Sequence, residues 1–277
     1  MNSMHFQRMF SNQRMRRVLL SICATGLLCS FAIVVHASAQ DRLLKIGMSV
    51  PLTGAQALVG ADIKAGAQAA IAAYNRSKPK TKLTLLALDD GFVAQRSLDN
   101  AKNLVESEGV VALLTQSGTE NSLAVAPYLV SKNVALVGPS SGASELFEPE
   151  NRSLFVTRAS YKAETDKMIN VLGTIGSQRI GVLATKDTFG QSVSKGLFAK
   201  MNERNLNPVA TVEIERNSTD LGSAVKELIA ASPTAIVLIA VAKPSALFIK
   251  EARRAGFTGS IYALSVVASS AFIKDVS

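Results

Sequence analysis

The stretch LLKIGMSV, residues 43–50, followed by GADIKAGAQAAIAAYNRS, residues 60–77, sets the reading of the chain. The first is a short, nearly continuous apolar run, the pattern of a strand buried on both faces. In the second, Ile63, Ala67, Ala70, Ile71 and Tyr74 recur at helical spacing. Strand followed by amphipathic helix is half of a βαβ unit, and the same alternation runs on. LTLLALDD (83–90) predicts a strand, AQRSLDNAKNLVES (94–107) a helix and VVALLTQS (110–117) a strand. SLAVAPYLVSK (122–132) predicts a helix and VALVGPS (134–140) a strand.

A second series begins after LFVTRAS (154–160). Helix 163–175 leads to strand RIGVLAT (179–185), helix 191–205 and strand VATVEIER (209–216). Helix 220–231, strand AIVLIAV (235–241), helix 245–255 and strand SIYAL (260–264) complete it, with a last helix starting near Ala268. The pattern predicts an α/β protein of two lobes, each a parallel sheet flanked by helices. No low-complexity linker separates the series, so the crossing near Arg158–Tyr161 reads as a hinge beside a cleft. The expected domains are a leader at 1–39, a first lobe at 40–158 and a second at 159–277. Ligands of open parallel sheets sit beyond the carboxyl ends of the strands. That draws attention to loops 51–59, 89–93, 116–121, 138–143, 186–190, 242–244 and 265–267.

The leader has its own signature. Arg8, Arg14, Arg16 and Arg17 precede an apolar run from Val18 to Val35, and Ala37-Ser38-Ala39 closes it with an A-x-A cleavage site. This predicts a secretory signal peptide and a periplasmic destination. Cys29 raises lipid attachment, but Leu28 before it is bulkier than such sites use. Both cysteines (Cys23, Cys29) and both histidines (His5, His36) lie in the leader. The rest of the chain therefore has no disulfide and must be held by its core. It carries 26 basic against 21 acidic residues, a formal +5, spread without basic runs or interleaved aromatics. Nucleic acid is not an expected partner.

The chemical motifs are sparse. Gly138-Pro-Ser-Ser-Gly142 spells G-x-S-x-G, the nucleophile elbow of serine hydrolases. The elbow needs a helix after the serine and a base to take its proton. Glu148-Pro149 cuts the following segment short, and no histidine remains outside the leader. Ser140 and Ser141 read more simply as hydroxyls presented to a cleft by a glycine-flanked turn. Gly118-Thr119, at the end of the preceding strand, opens a helix whose free N–H groups favour an anion. Asp89-Asp90 points to opposite faces and reads as a pair of caps rather than an ion site. No P-loop and no G-x-G-x-x-G after a strand occurs, so no cofactor and no metal are expected.

The segments KIGMSVPLTGAQALVGADIKAGAQAAIAAYN, LDDGFVAQRSLDNAKNLV, SGTENSLAVAPYLVSKNVALVGPSSGASELF, FVTRASYKAET and ATKDTFGQSVSKGL resemble the leucine/isoleucine/valine-binding type of periplasmic solute-binding protein. The resemblance runs from Lys45 to about Val267. It implies the type I periplasmic-binding fold, a small-molecule ligand (an amino acid or related carboxylate or amide) clamped between lobes, and docking on an ABC permease. It also implies a monomer without catalysis, in amino-acid transport. Positions matching the family's ligand groups are Gly118, Thr119, Ser140, Ser141, Tyr161, Phe189 and Ser265. Four features depart from the pattern. Val266 stands where relatives that bind amino acids carry an acid for the ligand ammonium. Val59, and Val241 or Ala242, stand where aromatics are common. Gly118 occupies one half of a disulfide found in some relatives. These departures weaken the case for an α-amino acid ligand. Two other readings stay open: a periplasmic sensor that presents its closed form to a membrane receptor kinase, and a secreted hydrolase using Ser140. Relatives continue for roughly a hundred residues past this point, so a truncated C-terminus, with apolar surface left exposed on the first lobe, is expected.

Overall fold

A computed structural model of the chain describes residues 42–277. The leader predicted at 1–39 lies outside the described residues. Leu43–Ser277 forms one compact unit containing two sheets.

The first sheet comprises β1 (Arg42–Val50), β2 (Thr81–Asp89), β3 (Ala112–Gln116), β4 (Ala135–Val137) and β5 (Leu154–Phe155) in the order β2-β1-β3-β4-β5. Its helices are α1 (Ala57–Arg76), α2 (Ala94–Lys102, prolonged by a π-helical turn Asn103–Ser107) and α3 (Thr119–Lys132). The second sheet comprises β6 (Ile180–Thr185), β7 (Ala210–Ile214), β8 (Ala235–Ile239) and β9 (Ser260–Ala263) in the order β7-β6-β8-β9. Its helices are α4 (Tyr161–Thr174), α5 (Thr188–Glu203), α6 (Gly222–Ala230) and α7 (Ala242–Arg254), and α8 (Ser270–Val276) closes the chain. The registers of β1–β3, β3–β4, β4–β5, β6–β7, β6–β8 and β8–β9 are all parallel. In each sheet the first strand lies inside, the second to one side and the third to the other. That reversal is the switch point where the strand ends splay into a crevice.

Apolar runs build the second sheet. Every residue of β6 and β8 is buried. Ile180, Val182 and Ala184, with Ala235, Val237 and Ile239, face α4 and α5; Leu183, Ile236 and Leu238 face α6 and α7. The first sheet has one such core, in which Leu113 and Leu136 pack with Leu104, Val125 and Leu129 of the α2–α3 layer. Two glycines occupy equivalent places. A Cβ on Gly60 of α1 would lie 1.8 Å from the Pro51 carbonyl oxygen, and one on Gly190 of α5 would lie 1.8 Å from that of Thr185. In both halves the helix that follows the first strand presses on that strand's end, and only glycine allows the approach.

Element boundaries shift where caps decide them. α5 starts at Thr188, ahead of the expected 191, because Asp187 Oδ1 accepts the Gly190 N–H at 2.8 Å. Within LFVTRAS (154–160) only Leu154–Phe155 pairs in the sheet; from there the chain leaves the first sheet and enters α4 at Tyr161. Asp89 and Asp90 are caps, as their alternation requires. Asp89 Oδ1 accepts the N–H groups of Leu52 (2.7 Å) and Gly91 (2.9 Å), and Asp90 Oδ1 accepts that of Phe92 (2.9 Å). No described helix is long and apolar enough to cross a membrane.

Candidate functional site

A cavity of about 600 Å³ opens where the carboxyl ends of the two sheets face each other. All nine strands among the described residues feed it. Gln56 follows β1, Phe92 follows β2, Ser117 to Thr119 follow β3, Ser140 follows β4 and Arg158 follows β5. Phe189 follows β6, Arg216 follows β7, Val241 follows β8 and Ser265 with Val266 follows β9. α1 adds Val59, Asp62 and Ile63. The volume lies within the usual range of small-molecule sites.

The hydroxyl side of the cavity is built by two turns stitched together. Ser140 N–H donates to the Gln116 carbonyl at 2.8 Å, and Ser117 and Ser140 form a parallel bridge beyond the paired strands. Gly118, at φ +92°, then turns the chain into α3, leaving the first N–H groups of that helix at the cavity wall. Ser141 does not line the cavity. It is fully buried, its hydroxyl 2.9 Å from Thr119 Oγ1 and accepting the Ala143 N–H at 3.2 Å, so it fixes Thr119 from behind. Gly118, Thr119, Ser140, Tyr161, Phe189 and Ser265 all line the cavity. The Ser265 hydroxyl is engaged by Glu164 Oε1 (2.8 Å) and by the Arg158 guanidinium. After Ser140 comes a single 3₁₀ turn, Ser144–Phe147, where a nucleophile elbow would carry a helix.

An aromatic wall adjoins this side. Tyr161 and Phe189 meet edge to face with centroids 5.3 Å apart, and Arg158 lies 5.5 Å above the Tyr161 ring. Burial pushes the Tyr161 hydroxyl's ionisation up; Arg158 and hydrogen bonding at Gly142, Ser141 and Thr119 only partly offset this, so the phenol stays neutral.

Sequence reasoning missed Phe92 and Arg216. Phe92 sits at φ +64°, a left-handed conformation stabilised by the Asp90 cap. Its ring fills the space beside Gly118, where a Cβ would come within 2.7 Å of it. The Arg216 guanidinium lies 4.4 Å above that ring. Arg216 also donates to Glu120 at 3.1 Å across the cavity mouth and stands 2.8 Å from Asp187 Oδ2, an ion pair by distance without hydrogen-bond alignment. Reading strand β7 through residue 216 hid this position; the strand ends at Ile214, which puts Arg216 among the loops at the carboxyl ends. Among the described residues no cluster of three or more His, Cys, Asp or Glu could hold a metal ion.

A two-sheet frame whose every strand end points into one cavity is the arrangement of a solute-binding protein, and comparison with known proteins agrees. The family model described as periplasmic binding protein matches residues 44–277. The chain belongs to the periplasmic binding protein family. Within it the similarity is to the leucine/isoleucine/valine-binding type. The Leu/Ile/Val-binding protein homolog 3 of Brucella melitensis is 22% identical over 200 residues, 71% of this chain and 54% of the relative. A possible leucine/isoleucine/valine-binding protein from Rhodopirellula baltica superposes with a TM-score of 0.80 at 25% identity, covering 87% of this chain and 67% of that one. A substrate-binding periplasmic protein from Ralstonia solanacearum superposes with a TM-score of 0.78 at 32% identity, covering 84% and 67%. The chain thus spans about half the length of the curated relative and two thirds of the solved structures. The fold is that of type I periplasmic binding proteins, with both sheets present.

Proposed function

We propose that this chain is the exported, periplasmic solute-binding subunit of an ABC importer of the amino-acid transport type. It holds a small polar or carboxylate ligand between its two sheets, works as a monomer and presents its closed form to a membrane permease. The observation that carries this reading is the shared cavity: a solute there touches both halves at once. Only a ligand with different affinity for the open and closed arrangements can shift the balance between them. The first-half wall supplies hydroxyls and the start of α3 for the polar end; the second-half wall supplies rings for the remainder. The lack of a histidine in residues 42–277 to take a proton from Ser140 argues against turnover there.

The test is a thermal-shift screen over amino acids, short carboxylates, amides and aromatic acids, followed by calorimetry on the solute that stabilises the chain. A ligand that binds only the folded form raises its melting temperature. Ser140→Ala is expected to weaken that solute by about 1 kcal/mol, roughly fivefold, the value of one neutral hydrogen bond. Ester hydrolysis by the wild type that disappears in Ser140→Ala would replace this reading with an enzymatic one.

A further inference from the structure

Hydrogen-bonding capacity around the cavity is lopsided. Arg158 and Arg216 both line it, and so do Ser117 and Thr119 at the start of α3 and Ser140 after β4. Acceptors are scarce. Glu164, Asp187 and Glu120 stand behind the guanidinium groups and do not line the cavity. They already have partners: Glu164 accepts from the Ser265 N–H and hydroxyl, Asp187 Oδ1 accepts from Gly190 and Thr185 while its Oδ2 pairs by distance with Arg216, and Glu120 accepts from Arg216. The carboxylate that does line the cavity, Asp62, belongs to an exposed position on α1. The remaining wall is mostly apolar, the rings of Phe92, Tyr161 and Phe189 with Ile63, Val241 and Val266, interrupted by Gln56, Ser265 and Ser269.

An α-amino acid brings a carboxylate, which these donors suit, and an ammonium, which needs acceptors of its own when taken out of water. Here the ammonium would face two guanidinium groups and, away from the rim, only neutral amide and hydroxyl oxygens with no carboxylate to balance its charge. Resting on the solute-binding reading above, we infer that the cavity selects an apolar monocarboxylate without an α-ammonium group, such as a branched aliphatic or aromatic acid. The carboxylate sits on the donor side. The hydrocarbon lies between the Phe92 ring, backed by Arg216, and the Tyr161–Phe189 pair. Arg216 is a specificity-determining residue, because its guanidinium fixes the Phe92 face and repels a second positive charge.

The test uses matched pairs that differ only in the amino group: 4-methylpentanoate against leucine, and 3-phenylpropanoate against phenylalanine, titrated calorimetrically into the full chain. The desamino acid of at least one pair is expected to bind ten times more tightly or better. Asp62→Asn should leave that ratio unchanged. Arg216→Gln should narrow it at least threefold, with Arg216→Lys retaining more of it. Equal or tighter binding of leucine or phenylalanine, or a ratio that moves with Asp62 and not with Arg216, overturns the inference. If neither pair binds while a solute of another class stabilises the chain, the inference fails and the solute-binding reading stands. If no solute of any class stabilises it, both fail.

Discussion

The two sheets share a strand order but differ in cover. In the second, alternate residues of β6 and β8 feed separate cores on opposite faces, and both strands are buried end to end. In the first, the face toward α2 and α3 is a core, whereas the other face is buried at Met48 and Val50 but half-exposed elsewhere. Alternation places Ile46, Leu85, Leu114 and Val137 there, and none of them belongs to a buried apolar cluster among the described residues. Val137 is 37% exposed, and Phe155 at the edge is 55% exposed. α1, on the same sheet, has Gly60 as its one buried residue. Parallel sheets are stable when covered on both faces. The comparison therefore separates a half that stabilises the chain from a half that carries much of the polar wall on a thinner support.

The largest effect expected from this contrast is in the cores. Leu238→Ala removes a fully buried side chain between β8 and the α6–α7 layer and should cost about 2–5 kcal/mol. Leu114→Ala, on the half-exposed face, should cost on the order of 1 kcal/mol, because less surface leaves water there. Urea unfolding of the two variants measures the gap, and equal costs would erase the distinction between the sheets.

A middle-sized effect lies in the first half's loops. Desolvation works against the Asp89 carboxylate, but hydrogen bonds from the Thr53 hydroxyl and the Gly91, Leu52 and Thr53 N–H groups outweigh it and hold it well below the usual carboxylate range. A depressed folded value contributes stability that is present above the unfolded value of about 4 and is lost as pH falls toward the folded one. Asp89→Asn should therefore cost about 1 kcal/mol at pH 7, and the gap to wild type should be smaller at pH 3. A gap independent of pH would assign the loop's order to other contacts.

The smallest stability effect should come from Phe155→Ser, within about 0.5 kcal/mol as for other exposed positions. The same change should visibly reduce binding of a hydrophobic dye to the folded chain. Dye binding unchanged by this substitution and by Val137→Ser would show that the first sheet's open face is not the apolar surface that matters.

These elements also show what was legible beforehand. Apolar runs and Ala-rich periodicity placed the sheets and helices, because burial in a parallel sheet writes itself into local composition. The hydroxyl turns were legible for the same reason: glycine, serine and threonine cluster where strands end. Phe92 and Arg216 were not. Phe92 reaches the cavity through a left-handed backbone and the side chain that Gly118 lacks, 26 residues away. Arg216 is placed by partners at 187, 120 and 92, separations that no local pattern encodes.

Asp90 carries a consequence for motion. This fully buried carboxylate accepts from Ser49 of β1, Ser97 of α2, Gln116 of β3 and the Phe92 N–H, and Ser97 in turn accepts from Asn121 of α3. Loop 90–93 and turn 116–121 are thus tied to one buried point and cannot fluctuate independently without stranding a charge. A solute that displaces the Phe92 ring also pulls on the start of α3, so the two turns respond to it as one body.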